Sequence, residues 1–373
     1  MTRTTDPNRP RQRRALRAGV IGLSLLVTAT LGPTAGAGSL DAASSVGSSD
    51  GGSVSAGSTV PESLQAEVPP LPELRDDITT PEIVGEKQKS PQWVRFTVAS
   101  PALRRTVGVD VLLPKDNSEP RPSIYALEGV DARETSSDWA LGGGARDFFA
   151  DKNVNVVMIN GGVASVYSDW ENIDPGVGLH KWETFIVDEL PPLLDARLKT
   201  NGAKSLLGLS MGAQGAMMLA HRHPGMYRGI AAMSGCYSTT DDVGRMCVQQ
   251  TISSRGGDPA NIWGEIGGQG WADHDTVRHA EALRGMDIYV SSMTGIPGRY
   301  ETPESDLFNR VVIGGPIEAV SRLSTLRLQS TLKELDIPAT FKYHATGVHA
   351  WNYWKDELPD TWPTLARSLG LPA

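Results

Sequence analysis

The stretch Gly208-Leu209-Ser210-Met211-Gly212 constrains this chain more than any other. A short apolar run, Ser205-Leu206-Leu207, leads into it, and a helix-like run over residues 213–222 leads out and stops at Pro224-Gly225. A serine flanked at two residues on either side by glycine, between strand and helix, fits a nucleophile elbow. No side chain at those positions obstructs the tight turn that pushes the serine hydroxyl into exposure. The Met211 N–H then opens the helix and points where negative charge would develop on a reacting carbonyl oxygen. A Gly-rich turn around a buried serine is the other reading of the same five residues.

The surrounding pattern supplies a fold for the turn. Residues 94–98 and 106–113 alternate in the strand manner and predict an antiparallel pair at a sheet edge. Apolar, β-rich runs follow at 123–127, 154–159, 205–207, 229–233, 288–293 and 339–343, and helical runs at 182–198, 213–222, 318–335 and 351–369. Near-continuous apolar strands alternating with helices predict a mostly parallel sheet covered on both faces. With an elbow in that setting, the expected class is α/β, an α/β-hydrolase fold with a mostly parallel central sheet and helices on both faces. Residues 236–286 show no strand period and read as an insertion that builds a lid or binding wall, or else as an irregular surface loop.

The ends of the chain read differently from its middle. Arg3, Arg9, Arg11, Arg13, Arg14 and Arg17 precede an apolar run over residues 18–32 and the small-residue triplet Ala35-Gly36-Ala37. This predicts a secretory signal peptide over residues 1–37; the pair Arg13-Arg14 leaves the export route open. Residues 38–60 are rich in Ser and Gly, and residues 61–90 hold Pro69, Pro70, Pro72 and Pro81 with scattered charge. Together they predict a tether and extended segment over 38–90, with the catalytic domain over 91–373. The formal net charge of the chain is −8, and loss of the arginine-rich leader makes it more negative, which disfavours nucleic acid as a partner. Cys236 and Cys247 can form a disulfide in a secreted chain or stay as two thiols. No Cys/His cluster has ligand spacing, so neither a metal nor a cofactor is expected.

A serine nucleophile needs a base and the base an orienting acid, in the chain order Ser, Asp/Glu, His for this fold. Well after Ser210 come His274, His279, His344 and His349. His344 falls inside the last strand, whereas His349 follows Thr346-Gly347-Val348 in the loop after it, where a base can reach the elbow; packing on Trp351 is its alternative role. Periodicity leaves the acid open among Glu301, Glu304, Asp306 and Glu318. Gly129, in Tyr125-Ala126-Leu127-Glu128-Gly129-Val130, allows the bend that turns the Val130 N–H inward as a second oxyanion donor beside Met211.

Several longer segments then carry a resemblance. They are Leu127-Glu128-Gly129-Val130, residues 161–170 (Gly-Gly-Val-Ala-Ser-Val-Tyr-Ser-Asp-Trp), residues 181–191 (Lys-Trp-Glu-Thr-Phe-Ile-Val-Asp-Glu-Leu-Pro), the elbow, residues 234–237, Trp263-Gly264 and His349-Ala350-Trp351-Asn352-Tyr353-Trp354. In these the chain, from about residue 93 onward, resembles the secreted mycolyltransferases of the antigen 85 type, especially their corynebacterial branch. The resemblance implies mycoloyl transfer between sugars at the cell envelope, with Ser210, Glu318 and His349 as the catalytic set. It implies Val130 and Met211 as backbone oxyanion donors, and Glu128, Asp131 and Trp351 at the substrate site. The implied partners are trehalose mycolates and cell-wall glycan, with the outer mycolate layer as substrate surface, for a monomeric enzyme. The chain also departs from the family. Leu-Asp-Gly-Leu-Arg becomes Leu127-Glu128-Gly129-Val130-Asp131, which reverses a charge that helps hold trehalose, and His-Ser-Trp becomes His349-Ala350-Trp351. Poorer use of trehalose, or another acceptor, is therefore expected, with Arg133 the candidate replacement for the lost guanidinium. A secreted carboxylesterase with the same triad, a protein O-mycoloyltransferase and a non-catalytic envelope-binding protein are the alternatives.

Overall fold

The computed structural model describes residues 70–372. The signal peptide expected over residues 1–37 and the Ser/Gly-rich stretch after it lie outside the described residues. Nine strands form one sheet: β1 (Glu82–Ser90), β2 (Trp93–Ser100), β3 (Arg105–Leu112), β4 (Ser123–Leu127), β5 (Asn155–Ile159), β6 (Lys204–Leu209), β7 (Gly229–Met233), β8 (Asp287–Ser292) and β9 (Thr340–Tyr343). Their spatial order is β1-β2-β3-β5-β4-β6-β7-β8-β9. The strands from β5 to β9 in that order run parallel, while β1, β2 and β3 are joined antiparallel to one another and to β5. The α-helices are α1 (Asp138–Leu141), α2 (Ala145–Phe148), α3 (Trp182–Thr184), α4 (Leu190–Leu198), α5 (Met211–Arg222), α6 (Asp242–Ser253), α7 (Ala260–Trp263), α8 (Gln269–Asp273), α9 (Gly314–Glu334) and α10 (Trp351–Leu369). Among the described residues no helix is long and apolar enough to cross a membrane.

The alternation of side chains along buried strands builds two cores, one on each face. Tyr125 and Leu127 of β4, Val157 and Ile159 of β5 and Leu206 of β6 enter one cluster, with Trp182, Phe185 and Met217. Ile124 and Ala126, Val156 and Met158, and Leu207 and Leu209 enter the other, with Trp139, Phe149 and Trp362. Each large apolar side chain so buried contributes roughly 1.5–3 kcal/mol. Strands β4 to β7 are buried along their whole length, which is why they read as unbroken apolar runs rather than as alternation.

The domain begins earlier than the sequence pattern predicts. Residues 82–90, expected as extended surface chain, pair antiparallel with β2 as the edge strand β1. Their sequence, Glu-Ile-Val-Gly-Glu-Lys-Gln-Lys-Ser, is mostly exposed and charged. Charge suits an edge strand because it discourages pairing with another chain, and it also erases the apolar period that marks a strand. Trp182 to Leu198 is helical as expected, but a π-helical turn at Phe185–Glu189 interrupts it.

After β4 the chain forms β5 on one side, then crosses to place β6 on the other side of β4. The carboxyl ends of β4 and β6 thus meet at a reversal of strand order, with Leu127 beside Gly208. In open α/β sheets this is where ligands bind.

Candidate active site

Ser210 follows β6 with φ 53° and ψ −124°, a conformation that costs a non-glycine residue of order 1–3 kcal/mol. Close packing explains both flanking glycines. A Cβ on Gly208 would lie 2.2 Å from the Gly212 carbonyl oxygen, and one on Gly212 would lie 2.4 Å from that of Leu127. The turn is therefore seated against the end of β4 and held there by the Ser210 N–H, which donates to the Met233 carbonyl at 2.9 Å.

Three side chains from different elements meet at this turn. His349 Nε2 lies 2.7 Å from Ser210 Oγ, and His349 Nδ1 lies 2.7 Å from Glu318 Oε2. His349 stands between β9 and α10, Glu318 in the first part of α9. Glu318 is fully buried. Its second oxygen, Oε1, accepts from the Ser234 hydroxyl at 2.8 Å and from the Met293 N–H at 2.7 Å. A buried carboxylate needs such partners to offset its desolvation. The indole N–H of Trp354 donates to Ser234 Oγ at 3.1 Å, while its ring meets His349 edge-on at 4.8 Å between centroids. Ser234 and Trp354 both lie in segments that carry the resemblance, which by itself implies a role for neither. The position of Ser234, immediately after β7 at the active edge, was the available signal.

Of the other carboxylates considered, Glu301 is buried in a clasp with the Gly298 N–H, Tyr353 and Arg310, and Asp306 accepts from Asn309. Of the other histidines, His344 pairs with Glu357, and His274 stacks on Trp263 in the insertion.

The loop after β4 borders the serine: a Cβ on Gly129 would lie 3.7 Å from Ser210 Cβ. Among the described residues, no turn, loop or cap hydrogen bond uses the Val130 or Met211 N–H. Both are available to a charged oxygen.

The three expected substrate contacts fare differently. Glu128 is only 2 % exposed, and its Oε1 accepts from the Ser137 hydroxyl at 2.5 Å and the Trp139 N–H at 3.3 Å. The carboxylate thus turns inward to fasten the start of α1, a correction to its reading as a sugar ligand. Burial raises it to about 7, against the Ser137 hydrogen bond, which lowers it. Asp131 is exposed, and its Oδ1 is met at 2.7 Å by the guanidinium of Arg255. Arg133, the expected replacement, instead faces Asp138 at 3.5 Å. Trp351 is half-buried and wedged edge-on against Trp139 and Trp354, with centroids at 5.3 and 5.7 Å.

Arg255 comes from the insertion, which holds α6, α7, α8 and a short 3-10 turn, with no strand. Cys236 and Cys247 form a disulfide that ties α6 to the chain just beyond β7, which closes the choice left open by spacing alone. The Asp241 side chain caps α6 by accepting from the Gly244 N–H at 2.7 Å. The far side of the insertion is fastened to the loop after β5 through Asn261 to Asp174 at 2.8 Å and Trp263 to Ser168 at 2.8 Å. The insertion is thus fastened to both the loop after β4 and the loop after β5. Among the described residues no group of His, Cys, Asp and Glu could hold a metal ion.

Known proteins share this arrangement of strands. Residues 100–365 match the family described as putative esterase. The chain is 30 % identical over 284 residues to the diacylglycerol acyltransferase/mycolyltransferase Ag85A of Mycobacterium tuberculosis, covering 73 % of this chain and 80 % of that protein. The Mycobacterium leprae Ag85A is 28 % identical over 280 residues, covering 73 % of this chain and 82 % of that protein. Among solved structures, Mycobacterium tuberculosis MPT51 (FbpC1) superposes with a TM-score of 0.63 at 24 % identity, covering 75 % of this chain and all of that one. An S-formylglutathione hydrolase from Agrobacterium tumefaciens superposes with a TM-score of 0.57 at 15 % identity, covering 77 % and 99 %; these two likenesses show the fold. With an α/β-hydrolase fold, an esterase-family match over most of its length and relatives at this identity, the chain belongs to the antigen 85-type mycolyltransferases and is an acyltransferase.

Proposed function

We propose that this protein is of the corynebacterial branch of the family and is secreted to the cell envelope. There it moves a mycoloyl group from trehalose monomycolate to a sugar hydroxyl, on a second trehalose monomycolate or on arabinogalactan, through a seryl acyl-enzyme. The observation that carries this reading is the hydrogen-bonded line Ser210–His349–Glu318 at the carboxyl edge of the sheet, beside two unspent backbone N–H groups.

The geometry supports the following steps. Ser210 Oγ attacks the ester carbonyl carbon while His349 Nε2 takes its proton. Glu318 holds the imidazole in orientation and stabilises the cation that forms. The carbonyl oxygen becomes negative and is held by the Val130 and Met211 N–H groups; one such donor is worth about 10²–10³ in rate. His349 then returns the proton to the departing trehalose oxygen, leaving the acyl group on Ser210. The acceptor hydroxyl repeats the sequence in reverse, losing its proton to His349 as it attacks the acyl carbonyl. Transfer outruns hydrolysis where water is kept from the acyl-enzyme. The insertion beside the site, the buried Glu318 and the largely buried His349 support such shelter.

Intact-protein mass spectrometry after incubation with trehalose monomycolate tests the reading. A mycoloyl adduct on Ser210, with a mycolated sugar as product, supports it. An adduct that resolves only to free acid in the presence of excess sugar makes the protein an esterase. Absence of both adduct and turnover refutes it.

A further inference from the structure

Residues 164–167, Ala-Ser-Val-Tyr, contact both sides of the oxyanion site. All four are fully buried. Ala164, Val166 and Tyr167 have φ of 56°, 54° and 54°, although none is glycine. Left-handed backbone brings the Cβ of such residues against the following carbonyl oxygen, so three in four residues persist only where surrounding contacts over-determine them. Those contacts are present. The Tyr167 N–H donates to Ser165 Oγ at 3.0 Å, the Trp170 indole N–H donates to the Ser165 carbonyl at 3.0 Å, and the Tyr167 ring meets Trp182 edge-on at 6.3 Å.

What the strained segment touches is specific. The Ala164 N–H donates to the Val130 carbonyl at 3.1 Å. The Tyr167 hydroxyl accepts from the Glu128 N–H at 2.8 Å. The Val166 N–H faces Met211 Sδ at 3.4 Å. The backbone is thereby pinned just before and just after the Gly129–Val130 peptide, whose N–H lies between the two pins. The same segment touches the residue that bears the other donor. Burial and the neighbouring Glu128 hold the Tyr167 phenol well above its ordinary range, so it stays neutral at working pH.

We propose that Tyr167 is a positioning residue for the oxyanion hole: its hydroxyl, with the Ala164 N–H, fixes the loop after β4 so that the Val130 N–H is aimed at the reacting carbonyl oxygen. The proposal rests on the reading of Ser210 as nucleophile and extends it to residues outside the triad. A donor set that must be oriented in advance loses rate when its peptide can rock, even if the substrate still binds.

Tyr167→Phe keeps the ring and removes the hydroxyl. With a short p-nitrophenyl ester, kcat is expected to fall about 10-fold while KM changes less than twofold. Inhibition by a boronic acid, which mimics the tetrahedral intermediate, should weaken in step with kcat. A merely structural role would lower the melting temperature without this split. Ser165→Ala, which loosens the segment from the side of the Tyr167 N–H, should shift kcat and inhibitor affinity in the same direction and stands in if Tyr167→Phe fails to fold. A folded variant with kcat and inhibitor affinity within twofold of wild type, while Ser210→Ala is inactive, overturns the positioning role alone. Turnover by Ser210→Ala overturns the underlying reading, and the inference with it.

Discussion

Replacing Ser234 by alanine isolates a residue that acts only through the acid. Its hydroxyl donates to Glu318 Oε1 at 2.8 Å and accepts from the Trp354 indole at 3.1 Å. The carboxylate is fully buried, so bulk solvent does not reach it to replace the lost donor. A hydrogen bond to a charged group is worth about 1.5–3 kcal/mol, and each 1.4 kcal/mol at the barrier is about tenfold in rate. The Met293 N–H still holds Oε1 at 2.7 Å, so the carboxylate remains in place but tilts more freely. Ser234→Ala is therefore expected to lower kcat between about 10-fold and about 100-fold on a short p-nitrophenyl ester, with KM little changed. Trp354→Phe, which keeps an aromatic ring beside His349 but loses the indole N–H with the five-membered ring that bears it, should lose less. Circular dichroism establishes that each variant is folded. Activity of Ser234→Ala within twofold of wild type would falsify the argument that Glu318 depends on this hydroxyl.

Glu318→Gln should cost on the order of 10³–10⁴ in kcat, whereas Glu301→Gln should chiefly lower stability, because Glu301 is held by Tyr353 and Arg310 rather than by the base; equal losses in the two, measured on the same ester, would remove the acid assignment. The Asp131–Arg255 pair joins the insertion to the loop after β4, and because Asp131 is 70 % exposed its coupling is expected at no more than about 1 kcal/mol. In a double-mutant cycle of Asp131→Asn and Arg255→Gln, read by trehalose dimycolate formation, additivity of the single losses would show that the pair does not act as a unit. Asp131→Arg should impair rather than improve trehalose use, since it sets two guanidinium groups side by side. Glu128 gives a pH dependence: burial raises it from 4.5 to about 7, so the folded state keeps a proton that the unfolded state has released. Its stabilising contribution is complete below pH 4.5 and is lost as pH rises through 7, on the order of 3 kcal/mol in all. Urea unfolding at pH 5 and pH 8 should show this loss in wild type and a smaller one in Glu128→Gln; an identical loss in both would contradict it.

Much of this architecture was legible in local pattern. The elbow glycines, the apolar runs of the parallel strands and the bounds of α10 are set by interactions within a few residues, which a single sequence displays. The edge strand β1 was hidden because one exposed, charged face leaves no apolar period. The acid could not be chosen from residues alone. Glu301 and Glu318 are both buried carboxylates after β8, and only the direction in which α9 leaves the sheet brings Glu318 to His349. The family resemblance supplied that choice, and the geometry brings the same pair together at 2.7 Å.

By itself, the sequence determined that a serine sits on a tight turn at the carboxyl edge of a mostly parallel sheet, with a histidine loop and the glycine-bearing loop after β4 at the same edge. Only the tertiary structure decided where the neighbouring polar groups point. Glu128 turns inward to Ser137 and Trp139, Ser234 holds the acid, and Tyr167 braces the loop after β4 from 39 residues away. Arg255, rather than the nearby Arg133, meets Asp131 across 124 residues of chain. The physical reason is one of range. A turn or a strand is selected by sterics and burial among near neighbours, whereas the partner of a buried polar group is set by which distant segments pack together and leave it no water.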